Sequence, residues 1–368
     1  MRFFGNKNQE ESLVVGIKKR WIPSNCGLIL DSQKLFHPVW RVDSVVFDLF
    51  ISGIEKRSGL SLGRRLAHAS SESEEWISTA SRDSFPKGRN LDRWKKTRND
   101  WLERGIGNFE LIDDADEIRF LLKYPLNGPL CSGILSANWE KATGKRHRFR
   151  WNQNKSESLI LMMSEDDIEI PKPSEMPLSW FHKKPEIDLL SHFLDIPHDF
   201  WDSLEVVSEK YWSMMGRRFA MINQDTILRF ENYFLPYLDE IYEVRNDCYQ
   251  WDKIDEERSL LWNILSDTIR EIFYEQGHHV LISESEDWIN VSKRHLAKQG
   301  IGKIDGVKFI DDFGGIEISF SSCYHPALFC GIMSGCWERA NGRSVRCFFS
   351  SENNCNIVRL VPLNEISS

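Results

Sequence analysis

An internal repeat is the feature of this 368-residue sequence that most constrains its fold. Residues 113–149 and 311–347, compared at a constant offset of 198, are identical at 12 of 37 positions. Both copies end in the segment Trp-Glu-x-Ala-x-Gly, which begins at Trp139 and at Trp337. Solenoids repeat units of roughly 20 to 50 residues many times. A longer unit that occurs twice instead predicts two tandem domains packed as a pseudo-dimer.

Weaker similarities extend the repeat and predict where one unit ends. Residues 63–67 and 216–220 share a Gly-Arg-Arg start, which predicts a helix in each unit and an insert over about residues 222–262 of the second unit. Several prolines between the copies break both helix and sheet. The predicted division is a first unit, a Pro-rich linker and a second unit, over residues 1–163, 164–186 and 187–368.

Hydrophobic periodicity predicts the elements of each unit. Apolar residues recur at helical spacing over 46–54 and over 204–215, so each unit is expected to begin with a helix. Residues 316–320 alternate apolar and polar side chains as a half-buried strand does, and 327–340 is predicted as a helix. Each unit is therefore expected to be an antiparallel sheet backed by helices, an α/β chain of the α+β type.

Glycines inside the repeated helix mark the candidate ligand-binding residues. Gly331 and Gly335 lie one turn apart in the second copy, and Gly133 is equivalent to Gly331 in the first. Glycine inside a helix costs about 1 kcal/mol relative to alanine, so a close approach of backbone or ligand is expected to offset it. A pocket beside these glycines, lined by Trp139 and Trp337, can hold a hydrophobic molecule. The alternative is that both tryptophans fill the core.

Composition excludes several classes of protein. A net charge of -8 and a pI near 5.8 argue against nucleic-acid binding, and short basic stretches such as Lys95-Lys96 are interpreted as solvated surface. No apolar run approaches the roughly 20 residues of a membrane span. The N-terminus lacks the continuous apolar core of a secretory signal, so a cytoplasmic location is expected.

The order of these features resembles the 4-vinyl reductase-like (hydrocarbon-binding) domain. Its fold is shared with vesicle-tethering TRAPP subunits and with a haem nitric-oxide sensor domain. The resemblance rests on the Gly-Arg-Arg segments, the Gly-x-Gly turns at 105–107 and 300–302, the Gly-rich helix before Trp337, and the final hairpin. It covers roughly 37–163 and 195–363. It implies paired α/β units and, in several relatives, a pocket for a small hydrophobic molecule.

The resemblance also implies a candidate metal or redox site in the second unit. Cysteines lie at broadly corresponding positions on the Gly-rich helix and the final hairpin: Cys330, Cys336, Cys347 and Cys355. Thiolates are preferred zinc ligands, so zinc is the candidate metal. The alternative is that these cysteines are small core residues, because the chain has no C-x-x-C pair.

The sequence contains no P-loop, no dinucleotide-binding G-x-G-x-x-G, no H-E-x-x-H and no G-x-S-x-G. The expected function is therefore non-enzymatic: a sensor or adaptor that binds a small hydrophobic ligand or a protein partner. One alternative is a tetrapyrrole-linked enzyme or accessory factor, which only the family resemblance suggests. Another is a structural interaction subunit with a closed core. Further pairing of the chain with itself stays open.

Overall fold

The computed structural model describes residues 3–82, 85–114, 117–155, 157–169, 172–187, 199–201, 203–208, 210–238, 248–352 and 354–364. Within these ranges the chain forms helices and antiparallel-rich sheets, which confirms the predicted α+β class. The helices are α1 (Phe3–Arg20), α2 (Ser44–Ser58), α3 (Gly63–Ala80), α4 (Lys95–Glu103), α5 (Gly128–Thr143), α6 (Gln224–Phe234), α7 (Glu256–Glu275), α8 (Asp287–His295) and α9 (Pro326–Asn341).

The described residues form seven strands in the N-terminal half of the chain and eight in the C-terminal half. In the N-terminal half they are β1 (Trp21–Pro23), β2 (Ile29–Asp31), β3 (His37–Asp43), β4 (Asn108–Asp113), β5 (Ile118–Lys123), β6 (Arg146–Lys155) and β7 (Ser158–Asp166). In the C-terminal half they are β8 (Leu204–Val207), β9 (Tyr211–Met214), β10 (Arg217–Asn223), β11 (Tyr249–Trp251), β12 (Gly306–Phe309), β13 (Ile316–Phe320), β14 (Val345–Glu352) and β15 (Cys355–Pro362).

A six-stranded sheet joins the two halves. Its strand order is β1-β2-β3-β10-β9-β8, so strands of the two halves meet where β3 pairs with β10. The pairing is antiparallel and sets Arg41 opposite Met221, each the fifth residue of its own strand. Each strand runs directly into a helix, α2 after Asp43 and α6 after Asn223.

Each half also has an outer sheet covered by a pair of helices. The outer sheets have the orders β4-β5-β7-β6 and β11-β14-β15-β13-β12. Helix α5 packs against α3 in the first half, and α9 packs against α7 in the second. The helices that follow the central sheet cross over, because α2 packs against α7 and α6 packs against α3. The halves therefore share their hydrophobic core.

Several sequence predictions are confirmed. The predicted strand at 316–320 is β13, and the predicted helix at 327–340 is α9. Asp255 caps α7 by accepting the Arg258 backbone N–H, as its position before an apolar helix face predicts. The segment 46–54 lies within α2.

The helix predicted over 204–215 is wrong. That segment forms the hairpin β8–β9, in which Val206 lies opposite Trp212. Val206, Val207, Tyr211 and Trp212 are β-branched or aromatic, which suits strands, and the pairing of β9 with β10 prevailed over an approximate helical spacing.

The match between 63–67 and 216–220 is also wrong as a structural equivalence. Gly63 begins α3, whereas Gly216 has φ +72° in the tight turn between β9 and β10. The predicted insert at 222–262 depended on that match. The described part of this range holds the end of β10, then α6, β11 and the start of α7. Strand β7 continues to Asp166, inside the predicted linker.

Candidate functional site

The helix glycines make close helix contacts. A Cβ atom on Gly133 would overlap the Ala67 carbonyl oxygen of α3, and one on Gly331 would overlap the Ser266 carbonyl oxygen of α7. A side chain at Gly335 would lie 2.8 Å from the Phe273 ring. Backbone and side chains therefore occupy the space that the sequence analysis had reserved for a ligand.

The two repeated tryptophans lie in the core, each fully buried. The Trp337 indole N–H donates to the Gly314 carbonyl oxygen at 2.7 Å. The Trp139 ring meets the Phe120 ring edge-on at 5.2 Å, and its indole N–H has no partner among the described residues. None of the five predicted ligand residues lines any of the three best-defined cavities in the described part of the chain.

The glutamate that follows each tryptophan closes a turn. Glu140 accepts the His147 backbone N–H at 2.8 Å, and Glu338 accepts the Val345 backbone N–H at 3.2 Å. These N–H groups begin or adjoin the strand that follows each helix. Because the helix ends at a left-handed glycine in both halves, the carboxylate fixes the path from helix to strand. The Trp-Glu pair is thus explained by structure.

The four candidate zinc ligands do not form a metal centre. Within the described residues, no three His, Cys, Asp or Glu side chains lie close enough together to hold a metal ion. The thiols of Cys330 and Cys347 do lie in contact, and burial raises the pKa of Cys330. Burial also raises the pKa of Cys336. The burial of Cys330, Cys336 and Cys347 agrees with the alternative of small core residues.

One serine–histidine contact resembles a catalytic pair and differs from it in geometry. The His182 Nε2 atom lies 2.7 Å from Ser351 Oγ and 3.2 Å from Asn356 Oδ1. Ser351 Oγ donates to Asn356 Oδ1 at 2.9 Å, so the serine proton is directed at the amide oxygen and not at the histidine. The contact instead anchors the segment around Trp180 to the second half.

The largest described cavity is a cleft in the N-terminal half, with a volume of about 670 Å³. It lies between α3, α4 and α5, beside the turn that follows β2. Small-molecule sites commonly have volumes of about 300 to 1,000 Å³. We call this cavity the N-terminal cleft; it is lined by Gln33, Lys34, Glu74, Ser78, Phe85, Pro86, Lys95, Lys96, Thr97, Asn99, Asp100, Glu103, Ala137, Asn138 and Lys141.

Two buried arginines hold the acidic residues of the cleft. Arg20 pairs with Asp100 at 2.8 Å and with Glu103 at 3.1 Å, and Arg104 pairs with Glu74 at 2.8 Å. Burial opposes ionisation of Asp100, but the charges of Arg20 and Arg104 outweigh it and hold its pKa well below the usual range. The two arginines thus hold four carboxylates, those of Asp31, Glu74, Asp100 and Glu103, in one network of ion pairs.

The rim of the cleft is basic. Lys95 and Lys96 form the first turn of α4 and are exposed, and neither has an ion pair among the described residues. Lys141 extends from α5, and Lys34 from the turn after β2. Phe85 and Pro86 supply an apolar wall, where the Phe85 ring meets the Trp94 ring edge-on at 5.1 Å.

The corresponding place in the C-terminal half is filled by side chains. Gly133 approaches Ser70, and Gly331 approaches Ile269; four residues further along each helix lie Glu74 and Phe273. The Phe273 ring contacts the rings of His278 and His295, with both centroid distances 5.0 Å. Three rings thus occupy the place where the N-terminal half is open.

The cleft could not be recognised from the sequence, because its residues come from five separate segments. Lys95 and Lys96 are exposed, as the interpretation of this pair as solvated surface predicts, and they also line the mouth of the cavity.

Comparison with known proteins adds no family assignment. No protein-family model matches the chain, and no curated protein matches it. Among the described residues, no helix combines the length and apolar character needed to cross a bilayer.

Proposed function

We propose that this chain is a non-enzymatic sensor or adaptor that binds a small molecule in its N-terminal cleft. The observation that carries the proposal is the cleft itself: an open cavity of about 670 Å³ over a floor of buried ion pairs. Preformed polar groups beside an apolar wall are typical of ligand sites. The proposal moves the ligand from the helix glycines to this cleft.

The pseudo-dimer belongs to the same proposal. Its support is the repeated element order, the meeting of the halves at β3 and β10, and the reciprocal crossing of α2 and α6. These features agree with the paired units of the 4-vinyl reductase-like domain that the sequence resembles. We place the protein in the cytoplasm on the basis of its sequence.

A non-enzymatic role is supported by what the cleft contains. Its carboxylates are held by arginines, and its lysines are solvent-exposed or partly so. General acid or base catalysis needs a group whose pKa lies near the working pH and that reaches the substrate. Ion pairing with Arg20 and Arg104 lowers the pKa of Asp100, whereas burial raises the pKa of Glu103, which stays paired with Arg20.

A second candidate is a structural interaction subunit, with the C-terminal half as its main support. There the aromatic filling by Phe273 and the close contact at Gly331 leave a closed core. A closed core is what we expect of a subunit that presents only its surface to partners.

The test is to fill the cleft. In Ala137→Phe, the small residue on α5 is replaced by a ring that projects into the cavity, and Thr79→Phe adds the same ring at an exposed site on α3 outside it. Native mass spectrometry followed by denaturation weighs any molecule that copurifies. Titration with the uncharged fluorophore N-phenyl-1-naphthylamine measures whether the cleft accepts an apolar body.

We expect a bound molecule, or fluorophore binding, in the parent chain and in Thr79→Phe, with loss in Ala137→Phe. Circular dichroism melting shows whether Ala137→Phe keeps its fold. A parent chain that carries nothing and does not bind the fluorophore would contradict the proposal and favour the interaction subunit. So would binding that Ala137→Phe leaves unchanged.

A further inference from the structure

The basic rim is unexpected in a chain whose net charge is -8. Lysines reach the cleft from three sides: Lys34 from the turn after β2, Lys95 and Lys96 from α4, and Lys141 from α5. Lys34 and Lys141 take part in further interactions, whereas Lys95 and Lys96 have no ion pair among the described residues. The uncompensated positive charge of the cleft is therefore that of Lys95 and Lys96.

The excess charge lies at the mouth of the cleft. The acidic side chains lie deeper and are paired with arginines that are 1% and 4% exposed. Lys95 and Lys96, in contrast, have no ion pair among the described residues. An anion that reached the mouth would meet unpaired ammonium groups before it met any carboxylate.

Lys95 and Lys96 begin α4, which continues directly from the 3-10 helix Leu91–Trp94, so neither lysine lies at the free N-terminus of the helical segment. The two ammonium groups are adjacent in the chain and repel each other in the free protein. A bound anion would offset that repulsion.

Beside the lysines lies an apolar surface. Phe85 and Pro86 are half-buried, and Ala137 forms part of the opposite wall on α5. The Phe85 ring is held against Trp94, so this surface is fixed before any ligand arrives. A ligand that fits both features has an anionic group and an apolar body.

We infer that the N-terminal cleft binds an amphipathic anion, a small molecule whose carboxylate or phosphate group lies at the lysine rim and whose apolar body lies against Phe85 and Pro86. This inference rests on the proposed function and names the class of its ligand. In the described part of the C-terminal half, the counterpart place holds Phe273, His278 and His295 instead.

The test uses two fluorophores that share one apolar body. 8-Anilinonaphthalene-1-sulfonate carries an anionic group, and N-phenyl-1-naphthylamine does not. Both are titrated against the full chain, and only binding that Ala137→Phe removes is assigned to the cleft. The charge variant is the double substitution Lys95→Gln with Lys96→Gln. Its matched control is Lys18→Gln with Lys19→Gln, an adjacent exposed pair on α1 that does not line the cleft.

We expect the anionic fluorophore to bind more tightly than the uncharged one. Its affinity should fall about three- to tenfold in the Lys95/Lys96 variant, since an exposed ion pair contributes up to about 1 kcal/mol. Rising salt should weaken it as well. The uncharged fluorophore should bind both variants like the parent chain. Competition by octanoate and by octyl phosphate then separates a carboxylate ligand from a phosphate ligand.

The outcomes separate the two proposals. One outcome is that both fluorophores bind equally, that Ala137→Phe removes this binding, and that the Lys95/Lys96 variant leaves it unchanged. This outcome would overturn the anionic ligand class but would still support a ligand site in the cleft. An equal loss in the Lys18/Lys19 control would assign the effect to overall charge and also overturn the class. No Ala137→Phe-sensitive binding of either fluorophore would overturn the ligand site itself.

Discussion

The two halves of the molecule use the same helix pair and differ in what lies beside it. In the first half, Glu74 and Asp100 bind buried arginines and the space above them is open. In the second half, Phe273 and His295 take the corresponding positions, and their rings close that space. Both halves thus pack a helix pair closely, and the side chains beside that pair differ in whether they leave this place open.

The largest expected effect concerns the two glycines at which the paired helices of each half approach closely. Substitutions Gly133→Ala and Gly331→Ala each add a Cβ atom that overlaps a backbone oxygen of the facing helix. Overpacking of this kind costs typically about 1 to 3 kcal/mol, and we expect both variants near the upper end. The measurement is urea unfolding at equilibrium. Ser136→Ala on the same helix face is the control, because its buried hydroxyl has no partner among the described residues.

Similar losses of unfolding free energy in Gly133→Ala and Gly331→Ala would show that the helix pairs of both halves are packed equally tightly. A loss at Gly331 with none at Gly133 would break the comparison, because it would mean that the first helix pair can separate. A ligand role would show as reduced binding without loss of stability.

A smaller effect concerns how the stability contributions of His295 and Asp100 depend on pH. Burial, and then the neighbouring His278, lowers the pKa of His295 to about 4, whereas an unfolded histidine titrates near about 6.5. The folded state therefore favours neutral His295, and this contribution is fully present above about pH 6.5 and is lost as the pH falls toward 4. We expect the parent chain to lose about 1 to 2 kcal/mol more than His295→Phe between pH 7 and pH 4.5.

Urea unfolding at the two pH values gives this difference. In the first half, the pKa of Asp100 is lowered. Its contribution to the free energy of unfolding is therefore fully present above the pKa of an unfolded aspartate and is lost only as the pH falls below that pKa. Equal pH dependence of the parent chain and His295→Phe would show that the histidine cluster does not differ from its counterpart in this respect.

The smallest effect concerns the repeated tryptophans. Trp337 donates a 2.7 Å hydrogen bond to Gly314, whereas the Trp139 indole N–H has no partner among the described residues. Replacement by phenylalanine removes similar volume at both sites. We therefore expect Trp337→Phe to cost about 1 kcal/mol more than Trp139→Phe in equilibrium unfolding, from the lost hydrogen bond. Equal costs would mean that the Gly314 contact adds no stability.

The sequence predicted those parts of the fold that depend on local signals. The cap at Asp255, the alternating strand at 316–320 and the glycine end of α9 are each determined within a few residues. The hairpin at 204–215 was missed because its partner strand, β10, decides its structure. The cleft was missed for the same physical reason: Lys34, Lys95 and Lys141 meet only through tertiary packing.

The glycines inside the repeated helices show a further limit of prediction from sequence. A glycine inside a helix indicates a close approach, and the structure confirms a close approach at Gly133 and Gly331. The sequence does not distinguish a helix backbone from a ligand as the approaching group. Only the facing residues Ala67 and Ser266, which are distant in sequence, make that distinction.

The central strand pairing has a consequence for how such a molecule can evolve. Arg41 lies opposite Met221, and its buried guanidinium contacts the Phe200 ring at 4.1 Å. A dimer of identical chains joined in this register would set the same side chain against itself, and two buried arginines would repel each other. With both halves in one polypeptide, β3 and β10 can change independently of each other. In the same way, the place beside the helix pair can stay open in one half and be filled by side chains in the other.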